Sequence, residues 1–373
     1  MASWEARPLR DEEIGLLSAL QVPVRDSGSR RRFFLAKTVG AMLVGFCLGC
    51  VVASWYATNE NMVAAGPLYP PPSLFPLNFL VVGDWGRRGR YNQTLVAAQM
   101  GRVGQDLNID FVISAGDNFY QHGLIGPEDQ KFSDSFTDIY TAPSLQKTWY
   151  TVLGNHDYMG DVLALLGDFL PQRDWRWFCH RQFQIQCPLC GPSYIGECEK
   201  FVEFFFIDTA PFVDEYWNST GKETFDWRGL APREEQLWSQ LQNLSSALEQ
   251  SAATWKIVVG HHTIRSLGHH GDTLELVQQV LPILEAQNVD LYINGHDHCL
   301  EYIKHSDSDV HFITSGGGSK AWQGMQTPTE EDGLQFGYDG QGFVSVSMTV
   351  ASLHLQFHDA LGSTLYSLDL KKH

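Results

Sequence analysis

Positive charge is scarce in this chain. Its 373 residues hold 26 Lys and Arg against 43 Asp and Glu, a formal net charge of -17. That balance excludes a nucleic-acid backbone as the principal partner. It also means that an anionic substrate must be drawn in by local positive charge, against a global field that repels it. Internal repeats are absent, which excludes a solenoid or propeller. The turn Gly316-Gly317-Gly318-Ser319 lacks the lysine spacing and the following helix of a nucleotide-binding loop, so a rim turn is expected there.

What is present divides the chain into parts. A hydrophobic content of 43% with 12% aromatic residues supports one large α/β domain plus appendages. Residues 1–32 are polar and mixed in charge, the composition of a disordered cytosolic tail. Within them Glu12-Glu13-Ile14-Gly15-Leu16-Leu17 has the form of an acidic dileucine sorting signal. From Thr38 to Ala57 no residue is charged. Taken with Phe33 to Ala36, the stretch 33–57 exceeds the about 20 residues that cross a bilayer. Arg25, Arg30, Arg31, Arg32 and Lys37 all precede the uncharged run, while Trp55 and Tyr56 sit at its far end. The expectation is a single uncleaved transmembrane signal anchor with the N-terminus in the cytosol; a cleaved signal peptide is the alternative. Residues 58–76 form a linker in which Pro67 to Pro76, with Pro67, Pro70, Pro71, Pro72 and Pro76, reads as a semi-rigid spacer of roughly 30 Å if extended as polyproline II. The catalytic domain is expected over 77–373. Sequons at Asn92, Asn218 and Asn243 fall on its lumenal side and are the expected glycosylation sites. The compartments in view are a vacuole, a lysosome-like organelle or the cell surface.

Cys179, Cys187, Cys190 and Cys198 lie close together. Cys187-Pro188-Leu189-Cys190 has the form of half a zinc knuckle, but an oxidising lumen favours disulfides. Three pairings are open.

Six apolar runs read as buried strands: Leu77–Val82, Phe111–Ala115, Trp149–Leu153, Phe201–Ile207, Lys256–Val259 and Val289–Ile293. Asn92–Leu107, Arg233–Leu248 and Thr273–Ala286 read as helices, giving an α/β layered domain. After Asp309 come short strands, Val310–Thr314, Gly342–Thr349 and Leu353–Phe357, a tail suited to completing a second sheet.

Five of the six runs end in potential ligands: Gly83-Asp84-Trp85-Gly86, Gly116-Asp117-Asn118-Phe119-Tyr120, Gly154-Asn155-His156-Asp157, Gly260-His261-His262 and Asn294-Gly295-His296-Asp297-His298. Open α/β sheets bind at strand carboxyl ends, and a glycine precedes each ligand where the backbone is expected to turn sharply. The phenol of Tyr120 is informative. It is protonated to about pH 10 and is a poor ligand for Zn²⁺ or Mg²⁺, whereas a hard trivalent cation would hold it as phenolate.

The series GDWG, GDNFY, GNHD, GHHT and GHDH resembles the purple acid phosphatases, within the calcineurin-like metallophosphoesterases. The resemblance is to their small type, which includes tartrate-resistant acid phosphatase, and it covers about residues 77–368. It implies a two-sheet β-sandwich flanked by helices. It implies that Asp84, Tyr120 and His298 bind Fe³⁺, that Asn155, His261 and His296 bind a divalent ion (Fe²⁺, Zn²⁺ or Mn²⁺), and that Asp117 bridges them. The donor chemistry agrees: the harder ion takes carboxylates and a phenolate, the softer one imidazoles and an amide. Two such ions carry more charge than Asp84, Asp117 and the phenolate neutralise, leaving a positive pocket in an acidic protein. The implied function is an acid phosphatase that hydrolyses phosphate monoesters by attack of a metal-bound hydroxide. His156 and His270 match the family's proton-handling histidines, with His269 the competitor to His270 and Arg265 a surface residue. The stretch Pro211–Leu230 would overhang the site, or be a glycosylated surface loop. No nucleic-acid partner is expected, and a monomer is the default. The alternatives are a metallophosphodiesterase with the same ligands, a non-catalytic membrane-anchored scaffold, and redox chemistry if both ions are iron.

Overall fold

A computed structural model describes residues 76–190, 198–218 and 224–372. The cytosolic tail, the anchor expected over 33–57 and nearly all of the linker lie outside them. Among the described residues no helix is long and apolar enough to cross a membrane.

Two mixed sheets form the domain, each of seven strands. The first runs in the order β14 (Thr364–Lys371), β13 (Ser352–Asp359), β12 (Gly342–Met348), β1 (Leu77–Val82), β2 (Phe111–Ser114), β3 (Trp149–Thr151) and β4 (Trp177–Cys179). The second runs β11 (Leu334–Tyr338), β9 (Leu300–Ile303), β10 (His311–Ser315), β8 (Leu291–Asn294), β7 (Trp255–Val259), β6 (Phe201–Phe206) and β5 (Phe183–Pro188). β1 to β4 are parallel to one another, as are β6, β7, β8 and β10. Antiparallel strands extend each sheet.

The central strands read as unbroken apolar runs because both of their faces are buried. Along β1, Phe79 and Val81 enter the core between the sheets with Phe111, Phe204, Ile257 and Ile293. Leu80 and Val82 point the other way, to Val96 and Met100 of the helix Gln93–Leu107 and to an aromatic cluster that includes Trp85, Phe119, Phe136 and Trp149. The second sheet mirrors this, with Phe205, Val258 and Tyr292 packed on Leu244, Leu248 and Leu284 from the helices behind it. The expected sandwich flanked by helices is therefore present.

Three expectations need correction. β12, β13 and β14 do not complete the second sheet; they extend the first, with β12 antiparallel to β1. Residues Thr273–Ala286 form two helices, Leu274–Gln279 and Leu281–Ala286, because Pro282 lacks the N–H that a continuous helix would need. Cysteine chemistry is divided: Cys190 and Cys198 form a disulfide, while Cys179 and Cys187 are buried free thiols. With two of its four sulfurs consumed, the zinc-knuckle alternative falls.

Candidate metal centre

The carboxyl ends of β1, β2 and β3 meet those of β7 and β8, and all seven expected ligands fall there. Backbone bonds stitch these ends together: Gly83 N–H to Ser315 O at 2.7 Å, Asp84 N–H to Gly116 O at 3.0 Å and Gly295 N–H to His261 O at 3.0 Å.

The glycines do a different job from the one expected. Of those five, Gly116 alone has a left-handed backbone, with φ of 91°. Left-handed conformation falls instead on the ligands Asp84, Asp117 and His296, with φ of 62°, 51° and 71°. A non-glycine residue rarely sits there, and such strain gathers at functional sites. Close approach is what the other glycines supply. A Cβ on Gly295 would lie 2.4 Å from Asp84 Oδ2, and one on Gly154 2.1 Å from Asp117 Oδ1.

Two donor groups share Asp117. In the first, Tyr120 Oη lies 2.8 Å from Asp84 Oδ1, 2.9 Å from Asp117 Oδ2 and 3.1 Å from His298 Nε2. In the second, His261 Nε2 lies 3.2 Å from Asn155 Oδ1 and 3.5 Å from Asp117 Oδ1; the His296 ring stands 5.1 Å from that of His261. Carbonyl partners fix two tautomers, since a carbonyl only accepts. His261 Nδ1 donates to Ala115 O and His298 Nδ1 to Lys320 O. Each Nε2 lone pair is thereby aimed into the site, the arrangement a metal ligand requires.

Electrostatics point the same way. Burial, reinforced by Asp117, pushes the Asp84 carboxyl well above its usual range. Burial and both aspartates push the Tyr120 phenol up as well. Burial holds His261 and His296 below their usual value and takes His298 down to about 3. Burial also opposes ionisation of Asp117, but its contacts with His261, His156, the His156 N–H and the Tyr120 hydroxyl together outweigh it and hold the carboxyl at about 2. A single phenolic proton cannot satisfy two carboxylates while neutral imidazoles direct lone pairs at the same space. Cations would satisfy all of them, so the donor set fits a pair of metal ions.

Two acids inside the motifs prove structural. Asp157 accepts from the N–H groups of Gly154, Asn118 and Phe119 at 2.9 to 3.3 Å, tying the β2 and β3 turns together. Asp297 accepts from His270 N–H at 2.7 Å and Ser266 Oγ at 2.6 Å, which holds the loop carrying His270. The sequence showed both within the ligand motifs, but the role follows only from the loops they join.

A cavity of about 620 Å³ opens over the ligands. His156 and His270 both line it. His156 Nδ1 donates to Gln121 O, and its Nε2 stands 3.8 Å from Asp117 Oδ2. His270 stacks on His296 with ring centroids 4.1 Å apart. His269 is exposed outside the lining, against Trp322, so the geometry favours His270. His262 also reaches the cavity, but its two nitrogens are held by Thr209 Oγ1 and Tyr216 Oη at 2.8 and 3.0 Å. Arg265 pairs with Asp272 at 2.7 Å. Val213 to Tyr216 and Phe225 line the cavity too, so this part of Pro211–Leu230 does overhang the site. Asn92, Asn218 and Asn243 are exposed. Trp322, stacked on His298 at 4.1 Å, and Arg87, over the Tyr120 ring at 3.4 Å, carried no signal in the sequence.

Comparison with known proteins bears on this geometry. A family model described as calcineurin-like phosphoesterase matches residues 77–300. The chain is 53% identical over 300 residues to purple acid phosphatase 3 of Arabidopsis thaliana, covering 80% of this chain and 79% of that protein. Purple acid phosphatase 17 of the same plant is 48% identical over 340 residues, with 91% and 96% covered. Tartrate-resistant acid phosphatase type 5 of Homo sapiens is 29% identical over 314 residues, with 79% and 91% covered. Among solved structures, GAP50, the anchor in the inner membrane complex of Plasmodium, superposes with a TM-score of 0.67 at 25% identity, covering 79% of this chain and 89% of that one.

Proposed function

The chain belongs to the calcineurin-like phosphoesterases and, within them, to the purple acid phosphatases, acid phosphatases that use two metal ions; from that premise we propose how its own residues divide the work. Asp84, Tyr120 and His298 would hold a ferric ion, Asn155, His261 and His296 would hold a divalent ion, and Asp117 would be available to both. The observation that carries this is Tyr120 Oη, within 2.8 and 2.9 Å of two carboxylate oxygens. A buried phenol between two acids is costly unless a cation takes its oxygen as phenolate. When bound, the ions supply Lewis acidity toward water and the phosphoryl group.

The remaining steps belong to side chains. His156 and His270 line the cavity together with Asp117, where the ester would sit. His156 keeps its Nδ1 proton on Gln121 O, which leaves Nε2 to exchange a proton within the cavity. His270, anchored through its backbone by Asp297, delivers a proton to the leaving oxygen. The overhanging segment with Tyr216 and Phe225 limits water access.

Visible absorption tests the assignment. The protein should show a broad band from phenolate-to-ferric charge transfer, absent in Tyr120→Phe. A colourless, iron-free protein that still hydrolyses p-nitrophenyl phosphate would remove the ferric assignment and leave the reaction intact.

Scaffolding is the competing reading, favoured by the likeness to GAP50, an anchor in the inner membrane complex of Plasmodium. The complete ligand set supports catalysis instead. Metal-replete protein with no turnover would reverse that preference. We also place the catalytic domain in a lumenal or extracellular compartment. The charge asymmetry around residues 33–57 and the Cys190–Cys198 disulfide support this. Digestion of the domain by protease added to the cytosolic face of sealed membranes would refute it.

A further inference from the structure

A second cavity, of about 310 Å³, opens beside Tyr120. Its lining includes Arg87, Arg88, Arg90 and Lys131, with Tyr120 and Gln121 forming the wall toward the metal centre. No carboxylate lines it. Four cations around one small cavity are costly in mutual repulsion, and carboxylates outside the lining offset it only in part, with Asp129 acting on Lys131, Asp84 on Arg87 and Asp134 on Arg88. The Arg90 guanidinium has no hydrogen bond or ion pair among the described residues. Arg87 donates to the neutral Ser319 Oγ at 3.2 Å and lies over the Tyr120 ring. Lys131 donates to the carbonyl of Gly123. The Arg88–Asp134 pair, at 3.5 Å, has both side chains more than a third exposed and contributes little.

The main cavity has a different character, with Asp214, Glu215, Asp272 and Glu275 in its lining and no arginine or lysine. Anionic groups projecting from the scissile phosphate are repelled by those carboxylates. They meet guanidinium donors on the Arg87–Arg90 side, in the geometry that pairs with phosphate oxygens. The two cavities adjoin: His156, which lines the main one, donates to the carbonyl of Gln121, which lines the second, and its ring lies 4.4 Å from that of Tyr120.

We propose that this arginine-lined cavity is an anion subsite for a second phosphate of the substrate, and that the enzyme selects compounds carrying another phosphate a few bonds from the one it cleaves. The proposal rests on the phosphatase reading of the metal centre and adds the class of substrate.

A matched pair of substrates tests it: glucose 1,6-bisphosphate against glucose 6-phosphate, with full-length metal-replete protein and the double variant Arg88→Gln/Arg90→Gln. Both arginines are exposed loop residues, and thermal melting confirms that the variant is folded. The wild type should prefer the bisphosphate in kcat/KM by about tenfold, the scale of one charge-assisted contact. In the double variant the ratio of the two kcat/KM values should fall toward one. A wild-type ratio near one, or a ratio unchanged in the variant, overturns the subsite. Equal loss on both substrates also overturns it, because that is the mark of long-range steering. Hydrolysis of neither compound by the wild type would overturn the phosphatase reading itself, an outcome distinct from hydrolysis of the monophosphate without preference.

Discussion

Gly154→Ala isolates the part of the site that depends on close approach. Gly154 has φ of -109°, a value open to any residue, so backbone strain does not enter. The added Cβ would meet Asp117 Oδ1 at 2.1 Å and Asp117 N at 2.3 Å. Ordinary van der Waals contact begins near 3.4 Å, so the β2 and β3 turns must separate by about 1.3 Å. Overpacking of that kind costs about 1–3 kcal/mol of stability. The catalytic penalty is larger, because Asp117 belongs to both donor groups. Misplacing a catalytic group by about 1 Å lowers rate by about 10²-fold. Expected outcomes are a melting temperature lower by several degrees, reduced metal content by elemental analysis, and kcat/KM on p-nitrophenyl phosphate lower by about 100-fold. Gly126→Ala is the control, since a Cβ there meets nothing within 4 Å. Full metal content and kcat/KM within about threefold of wild type would refute the claim that glycine at 154 makes room for the bridging carboxylate.

Four further variants follow, two from buried charge and two from the cavity histidines. Burial pushes the Glu301 carboxyl up to about 7, and its Oε2 has no hydrogen-bond partner. The folded state then binds the extra proton between about pH 4.5 and 7, so this contribution is complete in acid and lost as pH rises through that window. Glu301→Gln should remove up to about 3 kcal/mol of that slope. His311 and His358, which burial holds at about 4, lose stability as pH falls from 6.5 and do so in both proteins. Identical pH dependence of melting in wild type and variant would contradict the assignment. Arg176→Met leaves the buried Asp174 carboxylate without the partner it holds at 2.6 and 2.9 Å; urea titration should show a loss of about 3–5 kcal/mol. His156→Asn and His270→Asn should each lower kcat by about 10²- to 10⁴-fold with the metal content and visible band retained, and a normal kcat in either would remove that residue from proton transfer.

The parts of the fold legible in the sequence are those where local pattern and tertiary role coincide. β1 lies at Leu77–Val82 as read, because a strand buried on both faces leaves an uninterrupted apolar run bounded by a glycine. Ligands at strand ends were legible for the same reason. β4, β9 and β11 were not: they are three to five residues long, and β4 and β11 lie at sheet edges, too short for periodicity to show. Which sheet β12 joins depends on pairing across most of the chain, which no local pattern records. The roles of Asp157 and Asp297 were hidden because they hold backbone groups of other loops. The arginine cavity was hidden too. Arg87, Arg88 and Arg90 belong to no motif, and Lys131 reaches the same space from another loop.

The pairing of β1 with β12 has a consequence for biogenesis. Leu77 lies opposite Met348, so the strand that presents Asp84 has one open edge until nearly the whole chain has been made. A nascent chain ending before Gly342 carries all seven expected ligands and still lacks the strand that completes the sheet beneath them. Metal capture thus belongs to the end of synthesis, after the carboxyl-terminal strands have emerged and long-range pairing has closed. The ions meet a finished cradle in whichever compartment the folded domain occupies, and the metal supply of that compartment decides which ions the enzyme carries.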